Sequence, residues 1–234
     1  MGLRCKGCGG EEHVKNGLMR GKQRYRCKAC GLNFTDTPAR GMPLALKATA
    51  VLLYVSGLSM NRTAKLLGVS TPTIQAWIEQ FAQVYAQKPA PGGRAVVIEL
   101  DETWHYVKKK SNQLWIWKAW DRATGRLLDW ECGGRDAATA KRLIERLKGW
   151  QARLYCADNY AVYEVLLPVG QLYAGKDQTH GIERDNARQR HWLARFRRRS
   201  IVVSKAVRMV DASIALFARF AGNNKIDDLL SMRT

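Results

Sequence analysis

The sequence predicts a multi-domain α/β protein, with two small modules ahead of a larger domain built on a mixed sheet. Three observations predict it. Two Cys-x-x-Cys pairs, Cys5/Cys8 and Cys27/Cys30, stand close to the N-terminus. Residues 87–94, Gln-Lys-Pro-Ala-Pro-Gly-Gly-Arg, have the composition of a linker. Beyond them, three β-branched or aromatic runs are followed by alternating helical and strand-like segments. The expected bounds are a module at 1–40, a second at 43–87, a linker at 88–94, the main domain at 95–221 and a tail at 222–234.

Charge constrains the partner. The chain carries 39 Lys and Arg against 20 Asp and Glu, a net charge of +19. Residues 1–43 hold 9 basic and 3 acidic side chains and residues 179–234 hold 12 and 5, whereas residues 94–178 hold 14 and 11. Basic ends around an acid-bearing middle imply a polyanionic partner, nucleic acid above all. No run reaches the roughly 18 apolar residues of a membrane span. No apolar segment follows Met1-Gly2-Leu3-Arg4 as in a secretory signal. The expectation is a cytoplasmic protein, on a prokaryotic nucleoid, with no membrane partner.

In the first module, 18 residues separate Cys8 from Cys27. Each Cys-x-x-Cys is a tight turn that aims two sulfurs at one point, and two such turns close a tetrahedron around Zn²⁺. Disulfides are the alternative, disfavoured without a secretory signal. Residues 13–17 and 23–27 read as a hairpin, so the module is a zinc ribbon whose stability comes from its metal. His13 is surplus to a four-cysteine set and reads as a surface or DNA-facing residue. Arg24 and its basic neighbours in the hairpin are candidates for phosphate contact.

In the second module, residues 44–55 form a helix. Residues 61–67 form another, with Gly68 at its C-cap. A third opens after Ser70 or Thr71, with Pro72 in its first turn. Ala64, the Gly68 turn and the apolar Ile74, Trp77 and Ile78 give the close crossing of a helix-turn-helix. Its second helix would offer Thr71, Thr73 and Gln75 to base edges in a major groove.

The main domain reads as strands at 96–107, 114–120 and 126–132. A helix at 137–150, a strand at 154–157, a short helix at 160–167 and a strand at 171–174 follow. Helices at about 179–195 and 204–220 close it. This is the order of a ribonuclease H-like fold, in which the first and fourth strands lie side by side and parallel. Asp101 and Asp158 then stand together at the strand ends, and Glu183, early in the next long helix, can join them. Carboxylates hold Mg²⁺ or Mn²⁺ through oxygen and leave positions open for water and phosphate. Glu99 shares the sheet face of Asp101, Glu102 points the other way, and Asp177 and Asp185 flank the third candidate. All remain alternatives at this point.

The chain resembles the insertion-sequence-one (IS-one) family, a branch of the DDE transposases. The resemblance rests on Asp101-Glu102-Thr103-Trp104 with Tyr106-Val107, and on Ala157-Asp158-Asn159-Tyr160 with Tyr163-Glu164. It rests also on Thr179-His180-Gly181-Ile182-Glu183-Arg184-Asp185-Asn186, on His191-Trp192-Leu193-Ala194-Arg195, and on Arg198-Arg199-Ser200 with Ser204-Lys205. It covers about residues 1–220; Thr103 and the tail depart from the family pattern. The resemblance implies that Asp101, Asp158 and Glu183 form the metal-binding triad. It further implies that Arg190, two helical turns beyond Glu183, contacts the scissile strand. Arg184 and Lys205 occupy family-like positions as DNA contacts, with His180 near enough to assist. The run Arg197-Arg198-Arg199 reads as a grip on the DNA backbone.

The expected function is that of a transposase. It would bind the terminal inverted repeats of its element, cleave their 3′ ends with Mg²⁺ or Mn²⁺, and join them to double-stranded target DNA. Two ends must be joined, so a homo-oligomer, dimer or larger, is expected. A non-catalytic DNA-binding regulator and a metal-dependent nuclease without strand transfer are the alternatives.

Overall fold

The computed structural model describes residues 3–36, 41–91, 95–197, 201–221 and 226–232. It divides into two compact units, Met1–Pro43 and Leu44–Thr234.

In the first unit, β1 (His13–Met19) and β2 (Lys22–Cys27) form an antiparallel hairpin, and β3 (Asn33–Thr35) pairs with β2. Arg20 and Gly21, both at positive φ, supply the two-residue turn that matches the twist of the hairpin. β3 was not expected: a three-residue strand is too short to show alternation. It carries Phe34, whose ring packs with those of His13 and Tyr25 at centroid separations of 5.8 and 5.9 Å. His13 also meets Tyr25 edge-on at 5.1 Å, so it belongs to the small core of the ribbon and is not the surface residue expected. Among the described residues, the hydrophobic interior of the unit is Cys5, Cys27 and Phe34, with Leu3 and Tyr25 packed against it.

The second unit begins with α1 (Leu44–Val55), α2 (Met60–Leu67) and α3 (Thr71–Tyr85). Ser59 caps α2 through the Arg62 N–H, and Ser70 caps α3 through the Thr73 N–H. Gly68, at φ 64°, closes α2 with its N–H on the Ala64 carbonyl. The small Ala64 and the apolar Ile74, Trp77 and Ile78 are buried where the helices cross, as a helix-turn-helix requires.

The mixed sheet has the order β6-β5-β4-β7-β8, from β4 (Val97–Tyr106), β5 (Gln113–Asp121), β6 (Arg126–Gly133), β7 (Leu154–Ala157) and β8 (Leu172–Ala174). β4, β5 and β6 form an antiparallel meander, while β7 joins β4 in parallel and β8 joins β7 in parallel. This is the mixed α/β fold expected. β5 is covered on both faces, which is why its sequence is an almost unbroken apolar run. On one face lie α4 (Ala137–Leu147) and α5 (Ala161–Leu166), packed on Trp117, Ala119 and Leu128. On the other lie α6 (His180–Trp192) and α7 (Val207–Leu216), in the same core as Ile116, Trp120 and Leu127.

That second core also contains the buried residues of α1 and α3. The Tyr54 hydroxyl of α1 meets Ser213 of α7 at 2.6 Å, and Arg208 pairs with Glu79 of α3 at 2.7 Å. Lys88, just past α3, binds Asp129 at 2.7 Å and lies over the Trp130 ring. A proline- and glycine-rich connection thus joins helices that nevertheless share an interior with the sheet.

Two helices differ from expectation at their ends. α6 stops at Trp192, and Ala194–Phe196 makes a separate 3-10 turn behind the extended Leu193. α7 starts three residues late because Ser204 is held as extended chain, its carbonyl on Lys108 N and its hydroxyl on His105 and Arg195. In the expected tail, α8 (Ile226–Ser231) buries Leu229 in the core shared with α1.

Candidate functional site

The cysteine cluster is built from two matching turns. Gly9 N–H bonds the Cys5 carbonyl and Gly31 N–H the Cys27 carbonyl, with both glycines at φ 73°. A side chain at either position would strain a left-handed turn. The turns bring Cys5 Sγ to 3.5 Å from Cys30 Sγ, and Cys8 Sγ to 3.6 Å from Cys27 Sγ. All four sulfurs lie within 4.8 Å of one another. A tetrahedron with Zn–S bonds of about 2.3 Å has edges of roughly 3.8 Å, so the set can hold Zn²⁺ without rearrangement. Backbone N–H groups of Cys8 and Gly7 lower the Cys5 thiol to about 6, toward the thiolate a metal needs.

The carboxylate site is assembled across the sheet. β4 and β7 are in register through Glu99 and Cys156, which carries Asp101 and Asp158 to neighbouring positions two residues further on. Asp158 follows the end of its strand, and its Oδ1 accepts the Tyr160 N–H at 3.1 Å. Burial pushes the Asp101 carboxyl up to about 6; Glu102 and Asp158 push it the same way and Lys118 opposes them. Such a carboxyl gains from a cation beside it.

α6 supplies the other wall. Glu99 accepts the Ile182 N–H at 2.9 Å and the Arg122 Nε–H at 2.9 Å, and so fixes the start of α6 on the strand. Gly181 allows the approach: a Cβ there would stand 2.9 Å from Glu99 Oε2 and 2.5 Å from the Trp120 indole nitrogen. One turn later, Asn186 donates to Asp101 Oδ2 at 2.5 Å. Glu183, Asn186 and Arg190 follow one another at intervals of three and four, so they share a helix face. Glu183 is exposed and accepts from the Thr179 hydroxyl at 3.1 Å. Among the described residues, only the four cysteines place three or more acidic, histidine or thiol ligand atoms within 4.8 Å of one another. The strand register makes Asp101 and Asp158 neighbours in the sheet, while Glu183 stands one turn before Asn186 on α6 and the three carboxylates do not form such a cluster.

Sequence reasoning missed Lys118, which pairs with Asp101 across β4 and β5. It is 2% exposed and donates to Asn186 Oδ1 at 2.6 Å and Gln189 Oε1 at 2.7 Å. Burial lowers it to about 8, against the pull of Asp185 and Asp101, and Arg190 adds to the lowering. Asn186 therefore relays a buried cation to one oxygen of Asp101. The signal was a lone lysine in Trp115-Ile116-Trp117-Lys118-Ala119-Trp120. Glu102, on the opposite face as expected, is held by Arg135 at 3.0 Å and Tyr163 at 3.0 Å.

Among the other candidates, Thr71 and Gln75 line one cleft with Lys205. The Thr73 hydroxyl is engaged with Ser70 at 2.8 Å, which ties it to the helix cap. Arg24 Nε donates to the Asn16 carbonyl at 2.8 Å across the hairpin. Arg184 is exposed on α6, and Arg197 is exposed with Nε on the His191 carbonyl at 3.3 Å. Arg198 and Arg199 lie outside the described residues. Among the described residues, no helix is long and apolar enough to cross a membrane.

Comparison with known proteins bears on both modules of the second unit. Residues 95–221 match the family model described as IS1 transposase, and residues 43–85 match a homeodomain-like domain. The InsB protein of insertion element IS1 from Shigella flexneri is 37% identical over 120 residues, 51% of this chain and 91% of that one. InsB of iso-IS1n from Shigella dysenteriae is 31% identical over 123 residues, 53% of this chain and 94% of that one. InsB of IS1 2 from Escherichia coli K12 is 36% identical over 126 residues, 53% of this chain and 75% of that one. A solved simian T-cell lymphotropic virus intasome in complex with the PP2A regulatory subunit B56 gamma aligns with 73% of this chain and 67% of that one. Its TM-score of 0.38 and identity of 12% are too low for any argument to rest on it.

Proposed function

The chain belongs to the IS1 transposase family, and from that premise we propose that it cleaves the 3′ ends of its element and transfers them to target DNA. The observation that supports this most is the side-by-side placement of Asp101 and Asp158, with α6 anchored on Asp101 through Asn186. In this reading Asp101, Asp158 and Glu183 hold Mg²⁺ or Mn²⁺. Hard carboxylate oxygens around a buried, cation-seeking Asp101 suit such an ion. Bound there, it would stabilise the oxygens entering and leaving phosphorus.

The protein's own groups have separate tasks. Asn186 occupies one oxygen of Asp101, which also accepts from the Glu102 backbone N–H. Lys118 keeps that amide oriented and offsets the crowded carboxylates. Glu99 fixes the first turn of α6, and with it the position of Glu183. Arg190 meets the phosphate of the scissile strand. Water attacks phosphorus in line and the bond to the 3′ oxygen breaks, leaving a 3′-hydroxyl. That hydroxyl then attacks a target phosphodiester, with no covalent enzyme intermediate.

Residues 1–40 and 43–87 would find the terminal inverted repeats, with Zn²⁺ holding the ribbon. Residues 95–221 would carry the chemistry, reached through the linker at 88–94, with 222–234 as a tail. A dimer or larger assembly would pair the two ends. The test is a strand-transfer assay with Mg²⁺ on the zinc-loaded chain, comparing it with Asp101→Asn, Asp158→Asn and Glu183→Gln. Loss of joining with retained DNA binding is expected for each. Unchanged joining removes that residue from the triad. Cleavage without joining makes the protein a nuclease, and binding without either makes it a regulator.

A further inference from the structure

The second unit contains a cleft of about 670 Å³ between the helix-turn-helix and the chain that enters α7. Arg62 and Lys65 of α2, Arg195 and Lys205 line it, and among the described residues no carboxylate does. Thr71 and Gln75, from the first two turns of α3, stand on the same wall. Apolar surface completes it, including Met60 and Ile201, the latter 99% exposed.

Arg195 makes this cleft unusual. It is 6% exposed, yet its described partners are two hydroxyls: Nε donates to Tyr54 at 2.7 Å and Nη1 to Ser204 at 3.1 Å. None of the ion pairs among the described residues includes it. A guanidinium stays charged, and burying it without a counter-charge is costly. The excess positive charge is felt nearby, since burial and then Arg195 lower His105 to about 4. Among the described residues several buried acids are ion-paired, Asp129 by Arg146 and Lys88, Glu99 by Arg122 and Glu102 by Arg135, and the buried Lys118, held by two amides, still feels Asp185 and Asp101. A cation left over at the floor of an open cleft, with three more at its walls, wants an anion.

We propose that this cleft binds a phosphodiester of the DNA strand, with Arg195 as the buried anchor and Arg62, Lys65 and Lys205 around it. The cleft is larger than a phosphate group requires, and its apolar wall suits the sugar and base of the same nucleotide. One wall belongs to α2 and α3 and the other to the chain between α6 and α7. A strand held here is therefore gripped by the recognition helices and the catalytic domain together. The proposal rests on DNA being the partner, and adds a phosphate anchor at Arg195 that neither base-edge contacts from α3 nor the carboxylates provide.

The test uses the full zinc-loaded chain and fluorescence anisotropy, with a labelled duplex, a labelled single strand of the same sequence, and inorganic phosphate as competitor. Arg62→Gln, Lys205→Gln and Arg195→Lys are compared with Lys141→Gln, on the far side of the sheet. The cleft variants should bind more weakly, and the slope of log affinity against log salt should flatten by about 0.9 for each phosphate no longer neutralised. Lys141→Gln should leave both unchanged. A larger loss for the single strand assigns the cleft to an unpaired end, an equal loss assigns it to duplex backbone, and competition by phosphate alone supports the anion site. If Arg195→Lys fails to fold, the exposed Arg62 and Lys205 decide the matter. Wild-type affinity and slope in both overturn the cleft while leaving DNA binding intact. A wild-type chain that binds neither DNA overturns the premise as well.

Discussion

The four-cysteine cluster and the carboxylates proposed to hold a metal are assembled in different ways. The cysteines lie within 26 residues and converge through two local turns, with every sulfur already within 4.8 Å of the others. The carboxylates are spread over 83 residues, from Asp101 to Glu183; strand pairing sets Asp101 beside Asp158, and Glu183 comes from the docked helix α6. In the proposed reading, one site is closed by soft ligands that serve stability, and the other uses hard ligands beside the buried Lys118. A structural site gains by completing its coordination, whereas a reactive one must leave room for the group it acts on.

The largest expected effect separates the two. Structural zinc contributes about 10–16 kcal/mol in small domains. Chelation by phenanthroline, or Cys8→Ser, should expose the first unit to limited proteolysis while residues 44–234 stay resistant. Joint unfolding would break the comparison. Next is Lys118→Met, which leaves Asp101 and Asp185 without their buried cation and Asn186 and Gln189 without a donor. A loss of about 3–5 kcal/mol is expected in urea denaturation, and a loss under 1 kcal/mol would mean that the lysine compensates nothing.

Asp101→Asn should act in the opposite direction. The folded protein raises Asp101 from 3.8 to about 6. Its contribution to stability is therefore full below the ordinary value and is lost as pH rises through 6. Without added divalent metal, the variant should be more stable than wild type at pH 7.5, by roughly 1–3 kcal/mol. The gain should vanish near pH 4. A destabilised variant at pH 7.5 would show that the acid is already compensated. The smallest effect is local: Ser70→Ala removes the cap of α3 and should cost about 1 kcal/mol in thermal unfolding. Strand transfer should persist.

The regular elements were legible because each announces itself within a few residues. Runs of β-branched and aromatic residues marked β4, β5 and β6, Ser70 and Pro72 marked the start of α3, and the paired cysteines marked the ribbon. The misses share a cause. β3 and α8 are too short for any period to show. α7 begins late because Ser204 is captured by His105 and Arg195, which reach it from distant parts of the chain. Lys118 was visible as a misplaced charge in β5, but its role depends on α6 lying across it.

By itself the sequence determined the local chemistry: thiolates at zinc spacing, caps and turns, a strand carrying Asp101, which β4 places mid-strand rather than at its end, another ending beside Asp158, and a family signature around Glu183. These depend on spacing and side-chain type, which the chain carries in linear form. Only the tertiary structure decided the company those groups keep. It set Lys118 and Asn186 on Asp101, placed Glu183 on the same face of α6 as Asn186, merged the helix-turn-helix into the core of the sheet, and left Arg195 buried without an acid among the described residues. Burial and long-range pairing set the cost of a charge, and neither exists until the chain has folded.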